Sequence, residues 1–183
     1  MQTDAARSML DDIAFVYRQQ RRLAEAALQQ LNDAQFFHVA DPESNSIAVI
    51  VKHVGGNLRS RWTDFLTADG EKADRNRAGE FVTTNQSRSD IMSIWSLGWQ
   101  RLEDTIASLS PADLQSTVTI RGEPHSVFQA LVRNLAHSSH HAGQIVFLAK
   151  TLAGDSWRNL SIPRAGDANI TGNFWGPQTA QLR

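Results

Sequence analysis

The chain of 183 residues contains no cysteine. That absence removes disulfides, thiolate metal sites and a cysteine nucleophile together, so any metal must be held by His, Asp, Glu or main-chain oxygen. Excess charge of one sign is missing too. The formal net charge is -1, which gives no electrostatic case for nucleic acid or an anionic membrane as partner. Purely apolar runs are no longer than residues 47–51, far short of a membrane span. The N-terminus carries acids and no apolar run, so it does not read as a secretory signal, and a soluble cytoplasmic protein is the expectation. No serine stands in a recognisable nucleophile-elbow context. Internal repeats and low-complexity segments are lacking. What is present, 41% hydrophobic and 20% charged, suits one globular domain over residues 1–183.

The stretch 134–150 organises the chain. Apolar residues at Leu131, Leu135, Ala142, Ile145, Leu148 and Leu152 repeat with the helical period. Beside them run Asn134, His137, His141 and Gln144, at steps of three and four that stack them on one side of a helix. His137 and His141 can therefore reach one metal ion. His140 points about 100° of helix rotation away and is expected to be exposed, not a ligand. An isolated HxxxH pair is weak, because two histidines on a helix border commonly do nothing more than pack.

The rest of the chain supplies a third candidate. A first amphipathic helix is expected over about residues 4–31, with Tyr17 in its apolar stripe needing a buried partner or a cleft. Residues 32–45 break the period. Ser44, Asn45 or Ser46 can cap a second helix reaching to about residue 66, with His53, Asn57 and Arg61 on the edge of its buried face. Gly55 and Gly56 within it imply close approach of a neighbouring helix or a ligand. Polar residues 67–86 read as a long crossover that lets helices two and three run parallel, or else as a solvated loop. A third helix is expected over about 87–109, where Gly98 would admit a bulky neighbour such as Trp95 or leave room above a site. A proline-started turn at residue 111 and a minor β-hairpin around 117–124 precede a fourth helix from about 126 to 152. An irregular tail from about 153 keeps Trp157, Leu160, Ile162, Phe174 and Trp175. The fold class is all-α, a four-helix bundle.

His53, His137 and His141 thus make a candidate facial set of three imidazoles. Three protein ligands leave a coordination position open, as catalytic rather than structural zinc sites do. Zinc or nickel suits nitrogen ligands, and iron, cobalt, manganese and copper remain compatible. Asn57, Asn134 and Gln144 are placed to orient the metal ligands or to bind substrate, and Arg61 to clamp a carboxylate.

On these residues the chain resembles the DinB/YfiT-like superfamily of bacterial four-helix bundles over essentially its whole length. The matching elements are residues 51–57 around His53 and the His137-x-x-x-His141-x-Gly143-Gln144-Ile145 motif. Residues 61–66 and 160–164 resemble a subgroup whose function is unassigned. The resemblance implies one divalent metal on His53, His137 and His141, homodimers, and an up-down-down-up bundle. It also implies kinship with thiol-dependent S-transferases and isomerases that use low-molecular-weight thiols. The expectation is a metal-dependent enzyme acting on a small molecule, S-transferase-like first. A metal-dependent hydrolase, a binding protein without turnover and a protein in which the histidines only pack stay open. The nucleophile, water or thiolate, would come from outside the chain.

Overall fold

Serines start three of the long helices. In the computed structural model, which describes residues 2–161, Ser46 accepts the Val49 N–H at the start of a helix over Ile47–Trp62. Ser87 pairs reciprocally with Asp90, and Ser126 with Gln129, at the starts of helices Arg88–Ser108 and Val127–Ala153. Such caps satisfy main-chain donors that the first turn leaves open. In chain order the elements are α1 (Gln2–Leu28), α2 (Asp33–Phe36), α3 (Ile47–Trp62), α4 (Arg88–Ser108), strands β1 (Thr117–Ile120) and β2 (Glu123–Ser126), and α5 (Val127–Ala153). Short 3-10 turns lie at Ala78–Phe81, Pro111–Gln115 and Gly154–Ser156. The described chain is mostly helical with one two-stranded antiparallel sheet.

Several boundaries differ from those read in the sequence. The first helix ends at Leu28, and the broken stretch after it holds the single turn α2, closed by Asn32 and Gln35. The second long helix stops at Trp62, because Thr63 is extended and Asp64 takes a positive φ of 48°. Phe65 then folds back onto Trp62 with ring centroids 4.6 Å apart. Ile162, Phe174 and Trp175 lie outside the described residues.

Side-chain contacts fix the helix directions. Gly55 of α3 lies against Ile94 and Trp95 of α4, and further along Thr105 donates to the Trp62 carbonyl at 2.9 Å. Positions rise together, so α3 and α4 run the same way. His53 meets His137 while Asn57 meets Asn134, so α3 and α5 run oppositely. Arg21 reaches Glu103, Trp95 donates to Glu25, and Arg88 donates to the Leu28 carbonyl, which sets α1 against α4. Tyr17 meets Leu131, and Gln30 just past α1 meets Arg158 just past α5, so these two helices run together.

Glycines let α3 and α4 touch. A Cβ on Gly55 would lie 2.7 Å from the Ile94 carbonyl oxygen, and one on Gly98 would collide with the Gly55 main chain. Gly98 therefore admits the backbone of α3, where the sequence suggested a tryptophan or an open site. The seam is buried on both sides by Val51, Val54, Leu58, Ile91, Trp95 and Leu102. Packing of this kind, more than helix propensity, holds such helices in place. No helix among the described residues is long and apolar enough to cross a membrane.

The crossover between α3 and α4 is tied down at several points. Gly70 donates to the Thr119 carbonyl at 2.8 Å, joining the crossover to β1. The Asp69 carboxylate accepts N–H groups from Glu71, Arg121 and Gly122. Arg121 and Gly122 form the two-residue hairpin turn with positive φ values of 57° and 78°, the backbone that such tight turns require.

Candidate metal centre

Three imidazoles converge where α3 crosses α5. Each offers a ring nitrogen, and these atoms all lie within 4.8 Å of one another. His53 Nε2 is 3.2 Å from His137 Nε2. Ring centroids of His137 and His141 are 4.6 Å apart, and those of His53 and His141 5.1 Å. His140 is exposed and outside the group. The antiparallel crossing explains this arrangement: one turn of α5 spaces its two ligands, and His53 on α3 enters between them.

The outer nitrogens fix which atoms are free. Nδ1 of His53 lies 2.9 Å from Glu80 Oε2, and an ionised carboxylate only accepts, so Nδ1 carries the proton and, in the neutral ring, Nε2 presents its lone pair. Nδ1 of His141 lies 2.8 Å from Gln144 Oε1, which assigns the same tautomer. Nδ1 of His137 is buried without a hydrogen-bond partner among the described residues. Burial lowers the His137 pKa to about 3, helped by the neighbouring His141 and His53 and by Arg75 and Arg61. Burial also lowers His141, against the opposing hydrogen bond to Gln144. At neutral pH these two rings are uncharged, the form that binds a cation.

Donor set and spacing both fit a divalent ion. Nitrogens at tetrahedral positions on zinc are about 3.3–3.4 Å apart, given bonds of about 2.0–2.1 Å. The 3.2 Å between His53 and His137 matches such an edge. The three histidines could thus hold a metal ion.

Behind His53 stands a charged chain that sequence reading missed. Glu80, 6 % exposed, takes His53 on one oxygen and Arg75 Nε on the other at 2.8 Å, while Arg75 Nη2 also reaches Oε2 at 2.9 Å. Arg75 Nη1 in turn donates to Glu71 at 3.1 Å. Burial alone would raise the Glu80 carboxyl, but hydrogen bonds from His53 and Arg75 and the Arg75 charge hold it below its ordinary range. Gly56 makes room, since a Cβ there would lie 2.5 Å from Glu80 Oε1. Carboxylate partners of this kind orient metal-bound histidines. The only cue in the sequence was Gly56 beside His53, since Glu80 sits in an aperiodic crossover 27 residues on.

The remaining candidates fall into two groups. Gln144 touches His141 directly. Asn57 and Asn134 are buried and bonded to each other at 2.9 Å, and Asn134 Oδ1 also faces the Tyr17 hydroxyl and Trp62 Nε1, each at 3.2 Å. Their polar groups are thereby engaged inside the protein. Arg61 lies one turn further along α3, buried and beyond this layer.

Around the centre, Phe81 is 47 % exposed with its ring 5.3 Å from that of His53. On the far side of Glu80 a cleft of about 720 Å³ opens between α3, α4 and the crossover. Arg75 and Glu80 line it, with Lys52, Arg59, Lys72 and Arg101, and none of the three histidines does.

Residues 4–166 match the profile of a family described as a protein of unknown function, DUF1572. No curated protein and no solved structure matches the chain.

Proposed function

The chain belongs to the DUF1572 family, and from that footing we propose that it is a divalent-metal protein, with one ion per chain on His53, His137 and His141. The convergence of three imidazole nitrogens carries this reading. Zinc or nickel suits the nitrogen set best. Glu80 orients His53 and Gln144 orients His141. The four long helices are read as an up-down-down-up bundle of the DinB-like kind, which the helix directions support.

We further infer a metal-dependent enzyme acting on a small molecule, of the thiol-dependent S-transferase type. A divalent ion there supplies Lewis-acid chemistry, lowering the pKa of an acidic group brought to its open position. The chain has no cysteine of its own, so the thiol or water is a second substrate. Phe81 gives the apolar side of the approach. The exposed side chains of Val132 and Phe147 on α5 suit self-association, and a homodimer is the oligomer we infer.

Metal analysis of purified protein tests the site. About one divalent ion per chain is expected, lost in His137→Ala or His141→Ala and retained in His140→Ala. Equal loss from all three would remove the assignment. Turnover of the loaded protein with a panel of thiols and electrophiles, beside simple esters, then tests the transferase reading. Ester cleavage alone would make it a hydrolase, and no turnover a binding protein.

A further inference from the structure

Arg61 is a buried charge that the metal reading leaves unused. The residue is 6 % exposed, and its Nη1 is fully covered without a hydrogen-bond partner among the described residues. Its guanidinium lies against the crossover main chain, since a Cβ on Gly70 would come within 2.9 Å of Nη1. Gly70 is in turn bonded to β1, and Asp69 holds the Arg121 and Gly122 N–H groups, so the hairpin turn is fixed beside the same spot.

Among the described residues no carboxylate pairs with Arg61 directly, and Glu71 and Asp69 act on it only from further off. Burial first, then the charges of Arg133, Arg121 and Arg75, lower the Arg61 pKa to about 10, with Glu71 the opposing influence. The group therefore stays protonated at neutral pH. A guanidinium carries five N–H donors. Burying it without a directly hydrogen-bonded carboxylate is unfavourable, and further cations beside it make it more so. An apolar side chain of similar length would remove that penalty. A buried charge that costs stability in this way points to a ligand.

We propose that Arg61, flanked by the exposed Arg121 and Arg133, forms a binding site for a small ligand bearing an oxyanion, carboxylate or phosphate, at the seam of α3, the crossover and the hairpin. Guanidinium groups suit both anions through paired N–H donors. The Asn57–Asn134 hydrogen bond separates this seam from the histidines along α3, so the site stands whether or not the histidines hold a metal.

Thermal unfolding of the full chain, freed of metal by a chelator, tests it. Inorganic phosphate and acetate are titrated separately at constant ionic strength, with chloride as control. A saturable rise in Tm of several degrees is expected from at least one, and the stronger identifies the anion class. That rise should vanish in Arg61→Met and Arg61→Gln and persist in His137→Ala. Without anion, Arg61→Met should melt no lower than the native chain. A rise preserved in both Arg61 variants, or lost in His137→Ala, would place the anion elsewhere. No response to either anion, with both variants melting lower, would show that Arg61 serves an internal ion pair. Either result overturns the proposal.

Discussion

Two arginines, Arg61 on α3 and Arg75 in the crossover, both bury their side chains and are differently kept. The Arg75 side chain is 4 % exposed and makes hydrogen bonds to both Glu80 oxygens and to Glu71. Arg61 is 6 % exposed, and its covered nitrogen meets no acceptor among the described residues. Burial alone therefore says little about a charge. Arg75 belongs to a closed chain ending on a candidate metal ligand. Arg61 keeps a covered donor, Nη1, that meets no acceptor among the described residues.

Replacing each by methionine should separate them by the largest effect predicted here. Arg75→Met leaves the buried Glu80 carboxylate with His53 alone and Glu71 with Arg121 alone, and breaking a buried pair costs about 3–5 kcal/mol. Arg61→Met removes a charge whose covered Nη1 has no partner among the described residues, and should cost nothing by comparison. Denaturant unfolding of the two variants side by side measures the difference. Equal destabilisation would erase the contrast.

Glu80→Gln tests whether the closed chain reaches the histidines. It keeps an acceptor for His53 but removes the carboxylate charge, and loss of such partners weakens metal binding about ten- to a hundredfold. Competition with a coloured chelator reads this directly. Gln144→Ala should do less, because Gln144 is exposed and water can replace it. An unchanged affinity in Glu80→Gln would confine the Arg75–Glu80 pair to holding the crossover.

The same contrast marks what could be read from sequence. His137 and His141 were legible because helical spacing alone brings them together. His53 could be joined to them because Gly55, Gly56 and the apolar stripe placed its helix against others. Glu80 and Arg75 were not legible. They lie in a segment without period, and their positions come from contacts with α3 and within the crossover itself. Arg61 reads as a helix-edge residue, but Gly70 lies against its guanidinium, brought over by the bond to Thr119 in β1. Local periodicity reveals faces of helices. It does not reveal what a loop lays on them.

Acid should act through the histidine with least support. The His137 pKa falls to about 3 in the folded chain from an ordinary 6.5. The unfolded chain therefore takes up a proton first, and folded stability rises with pH across that window. Metal-free protein should be fully stabilised above about pH 6.5 and lose stability as pH falls towards 3. Tm against pH, in the presence of chelator, should be flatter for His137→Asn. An identical profile would mean that other groups control the acid limb.

Arg59→Ala completes the series with the smallest effect. Arg59 lies on α3 only two residues before Arg61, and it does have a partner: Asp74, at 3.4 Å. Its side chain is 50% exposed and that of Asp74 76%, so water and salt screen the pair and both ends keep their hydration when it breaks. Exposed pairs of this kind contribute about 0–1 kcal/mol, and the long separation puts this one at the low end. Unfolding midpoints of Arg59→Ala and the native chain should agree within about 0.5 kcal/mol, and added salt should bring them closer. Three arginines would then rank in cost by environment: buried with partners, exposed with one, buried without. Should Arg59→Ala instead destabilise like Arg75→Met, the cleft it lines would be held together by its charge, and pairing would matter more than burial.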